Sequence, residues 1–292
     1  MIKKAYFEIT NVCNLNCSFC PGTKRKRGFI SVENFRTVAE KLSGKVPYLY
    51  LHLMGEPTIH PRLDEILDIA DELGFKVIIT TNGTVLREKG DIICSCNCIH
   101  KVSISLHSFE ANDGKKAPDM ERYLNDCFDF CDKASQKGII SVMRLWNLDG
   151  EDTVGLNNEN IYILTQMKQH FGNEWVATRS GKRIADKVFL EYGERFDWPD
   201  PERMEDEALE DDTGYFCHGL RDQIGILWDG SVVPCCLDSE GSICLGNLLD
   251  SSLEEILASE KAKHFYDCFT ARKAPHPLCK TCGYAKRFRS KS

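Results

Sequence analysis

The chain has 292 residues, 42% of them hydrophobic and 28% charged, and it carries a net charge of −7. This length suits one large α/β domain with a small appendage, and the negative charge argues against a general binder of polyanions. No apolar run approaches a membrane span and the first residues lack a signal-peptide pattern, so the fifteen cysteines indicate metal or redox chemistry in a reducing cytoplasm.

Short β-branched runs alternate with helical stretches up to about residue 200, as in repeated βα units on a parallel sheet. The predicted strands are Ala5–Thr10, Tyr48–Leu53, Lys76–Thr80, Lys101–Leu106, Ile139–Leu145 and Lys187–Glu191. The predicted helices are Val32–Leu42, Arg62–Leu73, Val85–Ile93, Met120–Lys137 and Asn158–His170. Six such units are too few for a closed eight-stranded barrel, and in folds of this kind the chemistry gathers at the C-terminal ends of the strands.

Three cysteines follow the first predicted strand with C-x3-C-x2-C spacing: Cys13, Cys17 and Cys20. This spacing puts three thiolates within reach of one 4Fe–4S cluster and leaves one iron open to a substrate or cofactor. A structural zinc site would need a fourth ligand, and the residues that follow provide none. The next segment is the basic run at residues 24–27, which we interpret as a solvated loop, with contact to an anionic substrate as the alternative.

Polar turns follow the next four predicted strands. Their candidate binding residues are Gly55, Glu56, Asn82, Ser105, Arg144 and Asn147. Turns of this composition end strands in many proteins, so each alone says little. Their occurrence in order at four successive strand ends indicates one shared site.

The cysteine loop, Phe19 within it and these turns resemble the signature of the radical S-adenosylmethionine (SAM) family. The resemblance implies an α/β fold with an open, partial (β/α)6 barrel. It also implies that the open iron binds SAM and that one electron cleaves SAM to methionine and a 5′-deoxyadenosyl radical, which abstracts a hydrogen atom from the substrate. By this resemblance Cys13, Cys17 and Cys20 hold the catalytic cluster, Phe19 lies against the adenine, and the other SAM contacts are Gly55, Glu56, Asn82, Ser105 and Arg144.

The C-terminal part has a different pattern. An acidic segment, Pro199–Asp212, is interpreted as a solvated linker. Beyond it, two strands joined at Asp229-Gly230 form a predicted hairpin, and a helix is predicted over Ser252–Ser259. Four cysteines flank these elements and can close around one metal centre: Cys217, Cys235, Cys279 and Cys282.

These C-terminal cysteines resemble the SPASM motif, the auxiliary-cluster domain of many radical SAM enzymes, in the shortened single-cluster form called twitch. The family context and the softness of thiolates favour a second 4Fe–4S cluster; structural zinc is the alternative, and Cys236 competes for a ligand position. Cys94, Cys96 and Cys98 have one-residue gaps that suit a single tetrahedral centre poorly. We interpret them as packing or incidental thiols, together with Cys127, Cys131, Cys244 and Cys268.

The predicted organisation is a radical SAM core over residues 1–200, a linker over 201–216 and an auxiliary-cluster domain over 217–292. We expect a cytoplasmic oxidoreductase with two 4Fe–4S clusters and SAM, in which the auxiliary cluster accepts an electron from an unidentified substrate. The expected partners are SAM, that substrate and an electron donor such as flavodoxin or ferredoxin, with no membrane. The alternatives are radical SAM modification of a peptide or an RNA, and a zinc- or cluster-binding regulatory module.

Overall fold

Strands and helices alternate through the first part of the chain, as the sequence predicts. The computed structural model describes residues 2–108, 119–148, 158–194, 196–200, 202 and 215–287. The first five strands are β1 (Lys4–Phe7), β2 (Tyr48–Tyr50), β3 (Lys76–Thr81), β4 (Ile99–Ser105) and β5 (Ile140–Leu148). The first five helices are α1 (Val32–Leu42), α2 (Leu63–Glu72), α3 (Leu86–Ser95), α4 (Met120–Gln136) and α5 (Asn158–Phe171).

Six further strands and four further helices follow among the described residues. The strands are β6 (Val176–Thr178), β7 (Gly181–Ala185), β8 (Val188–Glu194), β9 (Gln223–Ile226), β10 (Ser231–Val233) and β11 (Gly246–Asn247). The helices are α6 (Leu253–Ala258), α7 (Glu260–Thr270), α8 (Pro277–Thr281) and α9 (Gly283–Lys286). Among the described helices, none combines the length and the apolar character that crossing a membrane requires.

All of these strands lie in one sheet, in the order β11-β10-β9-β1-β2-β3-β4-β5-β8-β7-β6. Neighbours from β1 through β5 to β8 are parallel, which confirms the predicted open arrangement of six βα units. The sequence analysis missed the antiparallel strands β6 and β7 that precede β8. All three residues of β6 are exposed, so this strand lacks the alternation of buried and exposed positions that identifies a strand from sequence.

The C-terminal hairpin continues this sheet. Its first strand, β9, pairs in parallel with β1, with Lys4 opposite Gln223 and Phe7 opposite Ile226, and β10 pairs antiparallel with β9. The sequence gives no sign of this pairing, because nearly the whole chain separates the two strands. Most of the acidic linker lies outside the described residues.

The two faces of the sheet differ in polarity. One face packs against the helices, where the rings of Phe7 and Phe35 stack with centroids 5.1 Å apart. The opposite side chains of the same strands form what we call the interior face, made of Tyr6, Tyr50, His52, Thr80, Lys101, Ser103 and Arg144. Because successive side chains of a strand point to opposite faces, a largely apolar core and these polar side chains come from the same strands, β1 to β5.

A buried ion pair at the end of β1 joins four segments of the chain. The Nη2 atom of Arg25 donates to both carboxylate oxygens of Glu8, at 2.9 and 2.8 Å, and Glu8 is fully buried. The same carboxylate accepts from the backbone amides of Met54 and Trp228, and Arg25 Nε donates to the carbonyl of Ser239. Burial raises the pKa of Glu8, and these donors oppose that rise.

We expect the substitution Glu8→Gln to lower the free energy of unfolding by about 3–5 kcal/mol, because it leaves the guanidinium of Arg25 buried without its counter-ion. Urea denaturation of the anaerobically purified protein measures this. The matched control is Glu72→Gln, which breaks an exposed ion pair with Arg36 and should change stability little. Equal effects of the two substitutions would contradict the central role of Glu8.

Candidate active site

The three N-terminal cysteines lie in the loop between β1 and α1, next to the C-terminal ends of the strands. The amide of Cys20 donates to the carbonyl of Cys17 at 3.0 Å, which closes a tight turn between these two ligand candidates. Backbone amides also point at sulfur: Leu15 N lies 3.4 Å from Cys13 Sγ, and Gly22 N lies 3.4 Å from Cys20 Sγ. Amide donors of this kind stabilise thiolates and orient them.

The buried and mutually close thiols of this loop favour a positively charged group among them. Burial raises the pKa of Cys13 to about 11, and the nearby charges of Glu56, Cys17 and Cys20 add to the rise. Three converging thiolates with no cation among them would repel one another, whereas coordination to a metal centre deprotonates thiols outright. The residues present therefore suit the iron–sulfur cluster that the cysteine spacing predicts.

The turn after β2 fits closely against the cysteine loop. Gly55 has φ +74°, and a Cβ atom at this position would lie 2.4 Å from the carbonyl oxygen of Thr10. The next amide, that of Glu56, donates to the carbonyl of Val12 at 2.9 Å. Only glycine allows both this left-handed backbone and this close approach.

The carboxylate of Glu56 is buried and occupied by donors of its own chain. It accepts from the hydroxyl of Thr58 and from the amide of Asn82, both at 2.6 Å, and from the amide of Thr58 at 3.1 Å. Burial raises its pKa, and these hydrogen bonds oppose the rise. These hydrogen bonds make Glu56 a residue that fixes the end of β3, and its predicted contact with SAM stays a prediction.

Asn82 connects the end of β3 with the cysteine loop. Its Nδ2 donates to Asn14 Oδ1 at 2.9 Å and lies 3.9 Å from Cys13 Sγ. Its Oδ1 accepts from the hydroxyl and the amide of Thr84, and its carbonyl accepts from the buried hydroxyl of Tyr123 at 2.7 Å. The sequence analysis named Asn82 but missed Asn14, Thr84 and Tyr123, although Asn14 stands between two of the predicted cysteine ligands.

The turn after β4 reaches the other side of the cysteine loop. The ring of Phe19 lies 5.0 Å from that of His107, and Cys17 Sγ lies 3.9 Å from the carbonyl of Ser108. Ser105 is the last residue of β4 and pairs in register with Arg144. The predicted contacts of Phe19 with adenine and of Ser105 with SAM fit this placement and stay predictions.

Arg144 extends from β5 into the interior face. Its Nε lies 3.8 Å from a carboxylate oxygen of Glu191, while its backbone carbonyl is 3.2 Å from His107 Nδ1. Burial lowers the pKa of Arg144, which Glu191 opposes. The side chain of Asn147, the second candidate on this strand, lies outside the described residues.

The interior face near Arg144 is polar and aromatic. The rings of Tyr6 and Tyr50 have centroids 4.6 Å apart, and the ring of His52 lies 5.5 Å from that of Tyr6. Burial and the charges of Arg144 and Lys101 lower the pKa of His52 to about 3, so this imidazole is neutral.

On this face, the buried atoms His52 Nδ1, Thr80 Oγ1 and Ser103 Oγ have no hydrogen-bond partner among the described residues. Buried polar groups are rarely left unsatisfied in native proteins.

The four C-terminal cysteines line one cavity, although they come from separate segments: Cys217, Cys235, Cys279 and Cys282. Burial raises the pKa of Cys217 to about 11 and that of Cys279 as well, where the charge of Cys217 contributes. Such a set of thiols fits a metal centre for the same reason as the N-terminal loop does. Cys236 is not among the residues that line this cavity. It packs near Leu53 and Met54, and its charge contributes to the raised pKa of Tyr6 on the interior face.

Comparisons with known proteins agree with this geometry. The family model of the radical SAM superfamily matches residues 7–153, and that of an iron–sulfur cluster-binding domain, SPASM, matches residues 217–283. The chain is similar to the subtilosin biosynthesis protein AlbA of Bacillus subtilis, with 34% identity over 87 residues, which are 29% of this chain and 19% of AlbA. The curated relatives with more than 30% identity are matched over only 18% to 33% of their own length.

Solved structures share the fold over nearly the whole chain. One is BtrN in complex with AdoMet and 2-DOIA, with a TM-score of 0.59 and 17% identity, covering 97% of this chain and 93% of BtrN. Another is Streptococcus suis SuiB bound to its precursor peptide SuiA, with a TM-score of 0.59 and 14% identity, covering 100% of this chain and 74% of SuiB.

We expect Gly55→Ala to displace the cysteine loop and to lower iron incorporation by up to about four atoms per chain, the content of one 4Fe–4S cluster. Iron and sulfide analysis after anaerobic reconstitution measures this. Gly74→Ala is the matched control, because Gly74 has φ +75° but no atom within 4 Å of the added Cβ. Normal iron content in Gly55→Ala would mean that the loop does not depend on this close approach.

Proposed function

This chain belongs to the radical SAM superfamily, and we propose that it is an oxidoreductase that uses a catalytic and an auxiliary 4Fe–4S cluster. When bound, the catalytic cluster and SAM supply a 5′-deoxyadenosyl radical, which takes a hydrogen atom from the substrate. We propose that Cys13, Cys17 and Cys20 hold the catalytic cluster and that Phe19, Gly55, Glu56, Asn82, Ser105 and Arg144 form or support the SAM site.

The observation that carries this proposal is the presence of two separate groups of thiols on one sheet. One group lies in the loop after β1, and the other lines a cavity formed by segments before β9, after β10 and around α8. We propose that Cys217, Cys235, Cys279 and Cys282 hold the auxiliary cluster. A second cluster gives the substrate radical a place to deliver its electron, which favours a two-electron oxidation over a redox-neutral rearrangement.

We propose that the substrate occupies the interior face between the two groups of thiols. The partnerless polar atoms of His52, Thr80 and Ser103 would then find their partners in the substrate. Arg144 and Lys101 bring positive charge to the same surface, and Glu191 is the carboxylate that opposes them among the described residues. This balance favours a small substrate with an acidic group, such as a carboxylate or a phosphate.

A peptide or an RNA as substrate is the alternative. SuiB, which shares the fold, is described with its precursor peptide, and this keeps a peptide open. RNA is disfavoured because two of the four cations of the basic run are paired, Arg25 with Glu8 and Lys24 with Glu202. Comparison of small metabolites and of RNA nucleosides between a gene deletion and its parent strain separates these cases. A deletion strain that lacks one RNA nucleoside modification and accumulates no acidic metabolite would overturn the acidic-substrate proposal.

A regulatory module that binds zinc or a cluster is the non-enzymatic alternative. The anaerobically reconstituted protein should cleave SAM to 5′-deoxyadenosine with dithionite as reductant, and Cys17→Ala should abolish this cleavage. Liquid chromatography with mass spectrometry measures the product. The matched control is Cys244→Ala, an exposed cysteine outside both groups, which should cleave SAM as the wild type does. Cleavage that persists in Cys17→Ala would refute the assignment of the catalytic loop.

Iron content separates the two cluster sites. The wild type should bind about eight iron atoms, and the variant with Cys13, Cys17 and Cys20 all changed to Ala should keep about half of them. The double variant Cys279→Ala with Cys282→Ala should retain SAM cleavage but form no oxidised product, because the substrate radical loses its electron acceptor. This result counts only in soluble protein that still forms 5′-deoxyadenosine, since removing metal ligands can unfold a small domain. Zinc in place of the retained iron, or a redox-neutral product from the wild type, would contradict the electron-acceptor role.

A further inference from the structure

Two thiols and a carboxylate converge where α2 ends and β4 begins. Cys96 Sγ and Cys98 Sγ lie 2.9 Å apart, and a carboxylate oxygen of Asp71 lies with them in a group whose ligand atoms are all within 4.8 Å of one another. Both sulfur atoms also lie 3.7 Å from the carbonyl oxygen of Leu67, one turn before Asp71 on the same helix. This site is at the N-terminal ends of the strands, opposite the cysteine loop that follows β1.

The local backbone brings these side chains together. Cys96 caps α3 with an extended conformation, and the amide of Ile99 closes a turn onto its carbonyl. The carbonyl of Cys98 accepts from the amide of Val77 in β3 at 2.8 Å, which fixes the pair to the sheet. Cys94 is buried within α3 and is not part of the group. All three cysteines therefore do not form one centre. Cys96 and Cys98 instead form a group with Asp71 from α2.

We propose that Asp71, Cys96 and Cys98 bind one zinc ion, with a water molecule as the fourth ligand. Two thiolates and a carboxylate are zinc ligands, and tetrahedral geometry with Zn–S bonds of about 2.3 Å needs sulfur atoms about 3.8 Å apart. The pair therefore has to open by about 1 Å, which side-chain rotation at the half-buried Cys96 provides. Binding releases the thiol protons, and the three negative ligands outweigh the charge of the ion by one.

The electrostatics of the pair support a cation here. The carboxylates of Asp68 and Asp71 add negative charge beside Cys96. A disulfide would need an external oxidant, whereas zinc needs none.

The proposed ion would connect α2 to the segment that leads into β4, next to the start of β3. Residues at this end of a barrel serve stability, because the chemistry is at the other end. The site is therefore structural, and it is independent of the function proposed above. Zinc that binds only the folded chain raises its melting temperature by mass action.

The experiment measures zinc in the anaerobically reconstituted, full-length protein. Zn²⁺ is added, free metal is removed by desalting in the presence of a weak chelator, and iron and zinc are counted by mass spectrometry. Zinc-edge X-ray absorption then reports the ligands. The test variants are Cys96→Ser with Cys98→Ser, and Asp71→Asn. The matched control, Cys94→Ser with Cys244→Ser, removes the same number of cysteines from elsewhere.

We expect about one zinc per wild-type chain with the iron content unchanged, and a spectrum with two sulfur ligands at about 2.3 Å. The double cysteine variant should lose this zinc and its gain in melting temperature, Asp71→Asn should bind it at least about tenfold more weakly, and the control should keep it. Wild-type protein that retains no zinc overturns the proposal without reference to any variant. Undiminished zinc in the double variant, or a Cys96–Cys98 disulfide in the anaerobic protein, overturns it as well.

Discussion

Glu8 ends the first strand with a carboxylate that is closed off from solvent, and all its hydrogen bonds come from other segments of the chain. Arg25 reaches it from the loop behind the cysteines, Met54 from the turn after β2, and Trp228 from the C-terminal hairpin. A buried carboxylate without such donors costs several kcal/mol, so these segments stabilise the fold only when all are in place. The cysteine loop thus depends on the same buried carboxylate that contacts the C-terminal hairpin at Trp228.

A second buried carboxylate repeats this arrangement one strand further on. Glu56 accepts from Thr58 and from the amide of Asn82, and its own amide donates to the cysteine loop at Val12. Asn82 in turn reaches Cys13 and Asn14. The loop that carries the three cysteines has no regular structure of its own, so buried polar contacts from three strand ends hold the thiols in position. Such contacts fix geometry more sharply than apolar packing does, because a hydrogen bond has a preferred direction and a buried partner left unsatisfied is costly.

The sequence predicted the parts of this fold that depend on local patterns. Short β-branched runs and helix-start and helix-stop residues identified the six parallel strands and the helices between them, including α1 from Ser31 onward. The sequence could not predict that β9 pairs with β1, because register between distant strands leaves no local signal. At the site, the cysteine spacings predicted both groups of thiols, whereas the interior position of Arg25 was missed. A basic run usually lies in solvent, and only tertiary structure decides that one of its members pairs with a buried acid.

The polar character of the interior face fits the proposal that a substrate completes it. A sheet selected for stability alone would fill this space with apolar side chains, because each buried polar atom without a partner costs about 1–3 kcal/mol. Instead, His52, Thr80 and Ser103 each leave such an atom unsatisfied, and Arg144 and Lys101 are held where burial lowers their pKa values. Proteins carry such costs at functional sites, where a ligand supplies the missing partners. The two faces of these strands therefore differ in role: one packs against the helices, and the other carries polar and charged side chains that we propose contact the substrate.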